Sequence, residues 1–333
     1  MRTQRHFVYT FLAILACSLP LSCALTACDN QQSSYEKLGY HTPGYEFDDI
    51  EQNNNNLDIN IPSEKKHLEL INEARGKFMS AQFDDSKHLP IRYSYKLPEN
   101  YQEDKTYPLV IALPGLDAMW HGDDYRDENL LEPIVTAWDN TGEELIVASA
   151  QLEDWGENGS RQAIELTQKL LADLPVDRSR VYVTGFSSGG EIWTQAITLH
   201  PELFTAYLQI SAQWDGRMAQ TCKARIPIYF LVGENDSFYG SDETRRIYHQ
   251  MYDIYVEQGL SSSEINELLQ LNVLDDSFFD ARELDYHGGA QEALLRFPEI
   301  SAWLLSRHKS TPPTSATPTT PPAQPNPTTS NAN

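Results

Sequence analysis

The sequence predicts an α/β protein with a mostly parallel, doubly wound sheet that is flanked by helices. Short, continuous apolar runs such as Tyr107–Leu113 (YPLVIAL) are typical of strands that are covered on both faces in a parallel sheet. Segments with apolar residues at helical spacing separate these runs, and strands that alternate with helices form doubly wound sheets. A sharp strand-to-helix turn within residues 180–190 (RVYVTGFSSGG) is the third observation, and the chain is organised around it.

The chain has 333 residues and a formal net charge of −23 at pH 7. Its length and composition allow one large folded α/β domain. Strong negative charge repels the phosphate backbone, so we expect no nucleic acid partner. A well-solvated surface accounts for the acidity. The sequence shows neither metal-ligand spacing nor a glycine loop of the type that holds phosphate, and we therefore expect no metal and no cofactor.

The N-terminus has the pattern of an export signal. Arg2 and Arg5 precede an apolar run over residues 7–21, and small residues lead to a cysteine. Residues 25–28 (LTAC) resemble a bacterial lipobox, in which Cys28 would carry lipid and become the first mature residue. We predict a lipoprotein signal peptide at residues 1–27 and a protein of the bacterial cell envelope, attached to a membrane through Cys28. An ordinary cleaved signal peptide is the alternative.

Composition divides the remainder of the chain into three parts. Residues 28–62 are polar, without helical or strand periodicity, and predict a disordered tether. Residues 63–309 form the predicted folded domain. Residues 310–333 lack charged side chains and consist largely of Pro and Thr, which predicts an extended, disordered tail.

Cys222 has no partner for a disulfide if Cys28 is lipidated, and we expect a buried, unreactive thiol.

The spacing of apolar residues predicts the strands and helices of the folded domain. A short helix is predicted over residues 63–75, and residues 91–97 alternate as in a half-buried antiparallel strand. Buried strands follow at residues 107–113, 145–150, 181–184, 206–212 and 226–232, with helices around residues 163–174, 191–200 and 247–259.

The last part of the domain has weaker patterns. Residues 261–276 predict a small cap or a decorated loop, and the loop is the favoured interpretation. A weak strand near residues 281–286 and a closing helix over residues 291–307 complete the domain.

The turn at residues 185–189 reads Gly-Phe-Ser-Ser-Gly and matches Gly-x-Ser-x-Gly. In a nucleophile elbow the serine lies in strained backbone, and small residues two positions before and after it prevent clashes. Gly185 and Gly189 provide that space around Ser187. Any Gly-Ser loop can match this pattern. Here, however, a strand precedes the motif and a helix that ends at Pro201 follows it. This context makes Ser187 a candidate nucleophile.

A serine hydroxyl is a weak nucleophile and needs a general base, which a third group orients. In open α/β sheets the reacting groups collect at the carboxyl ends of strands. Asp236 follows the strand at residues 226–232, and His287 follows the predicted last strand. The order Ser187, Asp236, His287 is that of an α/β-hydrolase triad.

Each assignment has an alternative. Asp236 could be a turn residue, with Glu234 as the acid, and His287 could be an ordinary loop histidine. The other histidines are placed less well: His249 is mid-helix, His200 closes the elbow helix, His308 is at the domain end, and His121 breaks the order although it could line the cleft.

Attack on a carbonyl also requires hydrogen-bond donors for the developing oxyanion. The backbone N–H of Ser188, at the start of the elbow helix, is one candidate. The other should follow the strand at residues 107–113, where Leu116 N–H is our choice and Asp117 is the neighbour to consider.

Five segments together resemble the α/β-hydrolase superfamily, particularly exported esterases related to feruloyl esterases and polyhydroxybutyrate depolymerases, with some likeness to the catalytic domain of prolyl oligopeptidases. They are the strand before Pro98, YPLVIALPG, GFSSGG, LVGENDSFYG and DYHGG, within residues 89–308. The resemblance implies an α/β-hydrolase fold and a serine hydrolase. Pro114 departs from these families, which usually have His before the Gly of the oxyanion loop, and this puts the loop's hydrogen bonding in doubt.

The leading hypothesis is a membrane-tethered serine hydrolase that cleaves small-molecule or polymeric carboxylic esters through an acyl-enzyme. A serine peptidase of the prolyl oligopeptidase type is the first alternative. A non-catalytic surface binding protein that retains the fold is the second. Four tryptophans could line a cleft for aromatic or sugar groups, although core packing is the favoured interpretation: Trp120, Trp155, Trp193 and Trp214.

Overall fold

The structure, a computed structural model, describes residues 74–118 and 127–309. These residues contain one eight-stranded sheet with the order β1-β2-β4-β3-β5-β6-β7-β8. The strands are β1 Met79–Asp84, β2 Pro90–Lys96, β3 Tyr107–Leu113, β4 Ile146–Gln151, β5 Val176–Phe186, β6 Ala206–Ile210, β7 Ile228–Gly233 and β8 Leu269–Leu274.

The sheet is antiparallel at one edge and parallel elsewhere. β1 pairs antiparallel with β2, and β2 pairs antiparallel with β4. The pairs from β4 through β3, β5, β6 and β7 to β8 are parallel. The carboxyl ends of six strands therefore meet at one edge, where loops can bring reactive side chains together. The predicted mostly parallel, doubly wound sheet is confirmed.

Helices cover both faces of this sheet. They are α1 Pro133–Thr136, α2 Glu157–Asp173, α3 Ser188–Leu199, α4 Met218–Ala224, α5 Asp242–Glu257, α6 Ser262–Leu268, α7 Asp276–Asp280, α8 Ala293–Arg296 and α9 Pro298–Leu305. The core on one face includes side chains of α2, α3 and α5, and the core on the other includes side chains of α1, α7, α8 and α9.

The central strand β3 shows why its sequence is apolar throughout. Leu109 and Ile111 point into one core, whereas Val110 and Ala112 point into the other. All four side chains are fully buried. A strand with helices on both sides has no polar face, and the alternation of apolar and polar residues is lost.

Two predictions near the end of the domain are wrong. Residues 261–276 form neither a cap nor a decorated loop, because α6 is followed directly by β8, which adds a parallel strand next to β7. Residues 281–286 are not a strand, and the chain reaches His287 from α7 through turns. The true last strand thus ends at Leu274, well before the histidine.

The predicted closing helix over residues 291–307 is interrupted. The segment begins with a 3₁₀ turn at Gly288–Glu292, which α8 and then α9 follow. Phe297 separates α8 from α9. Pro298 disfavours helical backbone at the residue before it, and Phe297 has φ −118° and ψ 84°.

The antiparallel edge strand β1 was not predicted from the sequence.

Several predictions lie on residues that the structure does not describe. These are the signal peptide at residues 1–27, lipidation of Cys28, the tether at residues 28–62, the tail at residues 310–333, and most of the predicted helix over residues 63–75. Of that helix, Arg75 is described and forms a parallel β-bridge with Leu97, so the helix does not extend to residue 75. Within the described residues, no helix has the length and apolar character needed to cross a membrane.

Candidate active site

Ser187 lies at a sharp turn between a buried strand and a helix. β5 ends at Phe186 and α3 begins at Ser188. Ser187 has φ 51° and ψ −124°, a conformation that non-glycine residues rarely adopt. Its carbonyl accepts the N–H groups of Gly190 and Glu191 at 2.8 and 3.1 Å. The first turn of the helix therefore holds this strained residue in place.

The two glycines of the motif provide the space that was predicted. A Cβ on Gly185 would lie 2.5 Å from the carbonyl oxygen of Gly189. A Cβ on Gly189 would lie 2.5 Å from the carbonyl oxygen of Leu113 and also strike that of Pro114. Because all of these are backbone atoms, no side-chain movement could relieve the overlap. Larger residues at either position would push apart β5, α3 and the loop after β3.

The three predicted triad residues form a continuous chain of hydrogen bonds. His287 Nε2 lies 3.0 Å from Ser187 Oγ, and His287 Nδ1 lies 2.9 Å from Asp236 Oδ2. Ser187 is 9% and Asp236 5% exposed. A buried carboxylate on Nδ1 favours the tautomer whose Nε2 can accept the serine proton. This arrangement can carry out general base catalysis on the hydroxyl of Ser187.

The carboxylate of Asp236 is well satisfied despite its burial. Its Oδ1 accepts the N–H groups of Phe238 at 3.0 Å and Tyr239 at 2.8 Å. Burial favours the neutral acid and acts to raise the pKa, but hydrogen bonds from His287, the Tyr239 N–H and Ser211 outweigh it and hold the pKa of Asp236 below its usual 3.8. The acid is therefore ionised at neutral pH.

Side-chain hydrogen bonds also shape the loop that carries the histidine. Asp285 Oδ1 accepts the N–H groups of His287 at 3.0 Å and Gly288 at 2.6 Å. Asn235 Nδ2 donates to both carboxylate oxygens of Asp276, at 2.9 and 2.8 Å, and so ties the acid loop to the start of α7. The aspartate two positions before the histidine thus turns the backbone that presents the imidazole.

Three aromatic rings surround the imidazole of His287. The ring of Phe186 lies 4.9 Å from it between centroids, and the ring of Tyr239 lies 5.5 Å away with an edge-to-face geometry. Phe238 stacks on it at 5.3 Å with an interplanar angle of 28°. These rings restrict the orientation of the histidine and keep water from much of its surface.

Comparisons with known proteins bear on the fold that carries this site. A model of the prolyl oligopeptidase family matches residues 141–254, less than half of the chain. A thermostable esterase of known structure is 22% identical, with a TM-score of 0.59, over 72% of this chain and 64% of that one. A puromycin-hydrolyzing peptidase of Mycobacterium tuberculosis is 15% identical, with a TM-score of 0.50, over 69% of this chain and 39% of that one. A ferulic acid esterase is 14% identical, with a TM-score of 0.46, over 68% of this chain and 98% of that one. A search of curated proteins finds no match.

The chain has an α/β-hydrolase fold. It spans less than two thirds of the length of the first two similar structures. The family match supports a serine hydrolase, and nothing in the comparisons favours a non-catalytic protein. The similar structures include both an esterase and a peptidase.

In this fold the segments with the predicted oxyanion donors border Ser187. A Cβ on Gly115 would lie 3.5 Å from the Cβ of Ser187, so the loop after β3 passes beside the nucleophile. Leu116 starts a 3₁₀ turn over Leu116–Ala118, and Ser188 is the first residue of α3. The carbonyl of Pro114 faces Gly189 at the helix start. The assignment of the Ser188 and Leu116 N–H groups as oxyanion donors stays a prediction.

Sequence reasoning missed a contact between the elbow helix and the acid loop. The hydroxyl of Tyr239 donates to Glu191 Oε1 at 2.7 Å, and Glu191 is fully buried. Glu191 comes four positions after Ser187, so both lie on one side of the first helical turn. An acidic residue in the otherwise apolar start of the elbow helix was the signal that could have revealed this contact.

Glu234 and His200, the alternatives for the acid and the base that have partners in the structure, bind other residues. Glu234 forms an ion pair with Arg245. His200 ends the elbow helix and binds Glu202 at 2.8 Å, and His249 lies within α5. His308 follows α9, and His121 lies outside the described residues.

Of the four tryptophans, Trp193 is a core residue, as favoured. It is fully buried in α3 and donates to the Thr184 carbonyl at 3.0 Å. Trp155 and Trp214 are partly buried against the same core, and Trp120 lies outside the described residues.

Cys222 is a buried free cysteine, as predicted. Burial raises the pKa of its thiol to about 11, which disfavours the reactive thiolate. Across residues 74–118 and 127–309, no group of three or more His, Cys, Asp or Glu side chains is arranged to hold a metal ion.

Proposed function

We propose that this protein is a serine hydrolase that cleaves carboxylic esters through an acyl-enzyme. Ser187 acts as nucleophile, His287 as general base and then general acid, and Asp236 orients the imidazole and stabilises its protonated form. The observation that supports this most strongly is the unbroken chain of hydrogen bonds from Ser187 Oγ through both ring nitrogens of His287 to Asp236, at 3.0 and 2.9 Å.

The reaction would proceed in two halves. In the first, Ser187 Oγ attacks the ester carbonyl while His287 Nε2 takes its proton, and the N–H groups of Ser188 and Leu116 bind the oxyanion. The tetrahedral intermediate then breaks its bond to the alcohol oxygen, which receives the proton from His287. In the second half, water attacks the acyl carbon while His287 Nε2 takes a proton from it. The bond from that carbon to Ser187 Oγ then breaks, His287 returns the proton to Oγ, and the carboxylic acid is released.

Turnover of esters tests this proposal. A panel of p-nitrophenyl esters with increasing acyl length should be hydrolysed by the wild-type protein, and Ser187→Ala should lose that activity. Ser187→Ala removes a single oxygen and adds no atom to the packed turn, so the variant should unfold at the wild-type temperature. Equal rates for the two proteins would instead favour the non-catalytic binding protein.

A serine peptidase is the second candidate, and the match to the prolyl oligopeptidase family favours it. A p-nitrophenyl ester and a p-nitroanilide with the same acyl group distinguish the two. Amides are less reactive than esters, so an esterase should show strong Ser187-dependent hydrolysis of the ester and little of the anilide. Comparable kcat/KM values for both would indicate a peptidase.

We further propose that the protein is exported and held at a membrane through lipid on Cys28. The basic start, the apolar run and the LTAC sequence motivate this step. Expression in a bacterium should give a membrane-associated protein whose N-terminal peptide begins at a lipid-modified Cys28. The Cys28→Ala variant should lose the lipid, and an unmodified cysteine in the wild-type protein would contradict the proposal.

A further inference from the structure

Phe238 is a large apolar side chain in an unusual place. It is 58% exposed, whereas Phe186, the other phenylalanine against His287, is only 7% exposed. A single exposed apolar residue needs no explanation on most of a protein surface. Phe238, however, stacks on the imidazole that would transfer the proton.

The ring of Phe238 is also held in place. Its backbone N–H donates to Asp236 Oδ1 at 3.0 Å, so the carboxylate that orients His287 also fixes the residue that covers it. Tyr239 packs edge-to-face against the ring at 4.9 Å. A ring that packs against both Tyr239 and His287 loses little conformational freedom when a ligand packs on its exposed surface.

The chemistry of acylation determines what lies beside this ring. Ser187 Oγ forms a bond to the acyl carbon, and the bond from that carbon to the alcohol oxygen breaks. The proton that His287 Nε2 took from Ser187 goes to the departing oxygen, which must therefore lie within hydrogen-bond reach of Nε2, about 3 Å. The group attached to this oxygen is then next to the imidazole and within reach of Phe238.

We propose that Phe238 forms the binding site for the alcohol part of the substrate and that it selects esters of aromatic alcohols, such as arylmethyl esters. This inference rests on the proposed esterase function. A ring one methylene beyond the departing oxygen can pack against the exposed surface of Phe238 in an offset or edge-to-face geometry. The proposal concerns the alcohol and makes no demand on the acyl group.

Three acetate esters isolate this contact: benzyl acetate, cyclohexylmethyl acetate and ethyl acetate. Their alcohols have comparable acidity, and all three form the same acetyl-enzyme, so kcat/KM reports the steps up to acylation and differs only through the alcohol. Cyclohexylmethyl acetate has a ring of similar size without aromatic character, and ethyl acetate has no ring.

The variants are Phe238→Ala, which removes the ring, and Phe238→Leu, which keeps an apolar side chain. Val256→Ala is the matched control, since Val256 is 52% exposed near the end of α5. α5 connects the parallel strands β7 and β8, so its C-terminal end lies at the sheet edge opposite the candidate site.

The wild-type protein should prefer benzyl acetate to cyclohexylmethyl acetate and ethyl acetate in kcat/KM. Phe238→Ala should lower kcat/KM for benzyl acetate about tenfold more than that for ethyl acetate, because any loss of ring contact with His287 affects all three esters alike. Phe238→Leu should lose the preference for benzyl over cyclohexylmethyl acetate, and Val256→Ala should match the wild type.

An equal change for all three esters, or no change for benzyl acetate, would overturn the aromatic alcohol site while leaving the esterase intact. Ser187→Ala separates this outcome from failure of the proposed function. If the wild-type protein hydrolyses none of the three esters faster than Ser187→Ala does, the esterase proposal fails, and the alcohol site fails with it. Because Phe238 is exposed, both variants should keep the wild-type unfolding temperature.

Discussion

The two sides of the candidate site are fixed in different ways. Ser187 is held by backbone packing: β5, α3 and the loop after β3 meet so closely that Gly185 and Gly189 have no space for a Cβ. His287 is held by side chains, namely the carboxylates of Asp236 and Asp285 and three aromatic rings.

Substitutions on the two sides should therefore have different effects. Substitutions beside Ser187 strain the backbone and should cost stability before they alter chemistry. Substitutions around His287 remove individual hydrogen bonds or ring contacts and should alter catalysis with a smaller effect on folding.

The largest effect on kcat is expected when the hydroxyl of Ser187 or the imidazole of His287 is removed. Ser187→Ala and His287→Ala should each lower kcat for an ester substrate about 10⁴-fold or more, because the hydroxyl and the imidazole act as one unit. The double variant should be no worse than either single variant. Multiplicative losses, or more than a tenth of the activity in either single variant, would show that the two residues do not act together.

A pair of glycine substitutions tests the difference in packing. Gly189→Ala should lower the free energy of unfolding by about 1–3 kcal/mol, because the new methyl group would meet the backbone carbonyls of Leu113 and Pro114. In Gly288→Ala the nearest atom is the Asp285 carboxylate, 3.0 Å away, which can move. We expect a loss of less than about 0.5 kcal/mol there. Urea denaturation measures both, and equal losses would refute the proposed difference.

Asp285 tests whether a side chain sets the position of the histidine. Asp285→Ala removes the acceptor for the N–H groups of His287 and Gly288, and we expect kcat to fall roughly threefold to tenfold with little change in KM. Asp285→Asn keeps a side-chain oxygen and should restore most of the activity. If both variants behave like the wild type, Asp285 does not set the position of the imidazole, and Asp236 and the aromatic rings are sufficient.

The smallest expected effect is on the pH dependence of stability. The pKa of Asp236 is lower in the folded protein than its usual 3.8. Its contribution to stability is therefore complete above pH 3.8 and is lost as the pH falls through the lowered native pKa, with a slope of at most about 1.4 kcal/mol per pH unit. Asp236→Asn lacks this contribution, so its stability below pH 3.8 should fall less steeply than that of the wild type. Parallel curves in acid denaturation would contradict the assignment.

The nucleophile side could be predicted from the sequence because its signals are local. The bounds of β3 follow from one uninterrupted apolar run, and the elbow combines a strand, two glycines and a helix within a few residues. The strain at Ser187 and the space at Gly185 and Gly189 are properties of the same short segment.

The histidine side depends on contacts between distant segments. Leu269–Leu274 follows α6 without a break, and its identity as a strand comes from pairing with β7, for example Leu269 beside Ile228. No local pattern encodes that partner, and the sequence alone therefore favours a loop over residues 261–276. The chain order Ser187, Asp236, His287 led to the histidine even though the strand predicted before it does not exist. In the structure the turn at Asp285 presents it instead.

The break in the predicted helix over residues 291–307 could have been predicted from the sequence. Pro298 restricts Phe297 to a non-helical conformation, and this divides the predicted helix over residues 291–307. The contact of Tyr239 with Glu191 had only a weak signal, since its partners are 48 residues apart.

Labelling with a fluorophosphonate probe tests the central claim, that Ser187 is an activated nucleophile. Mass spectrometry of the intact protein and of its peptides should find one adduct, located on Ser187, in the wild-type protein. His287→Ala should react far more slowly, and Ser187→Ala should not react. A folded wild-type protein that carries no adduct at Ser187 would contradict the account.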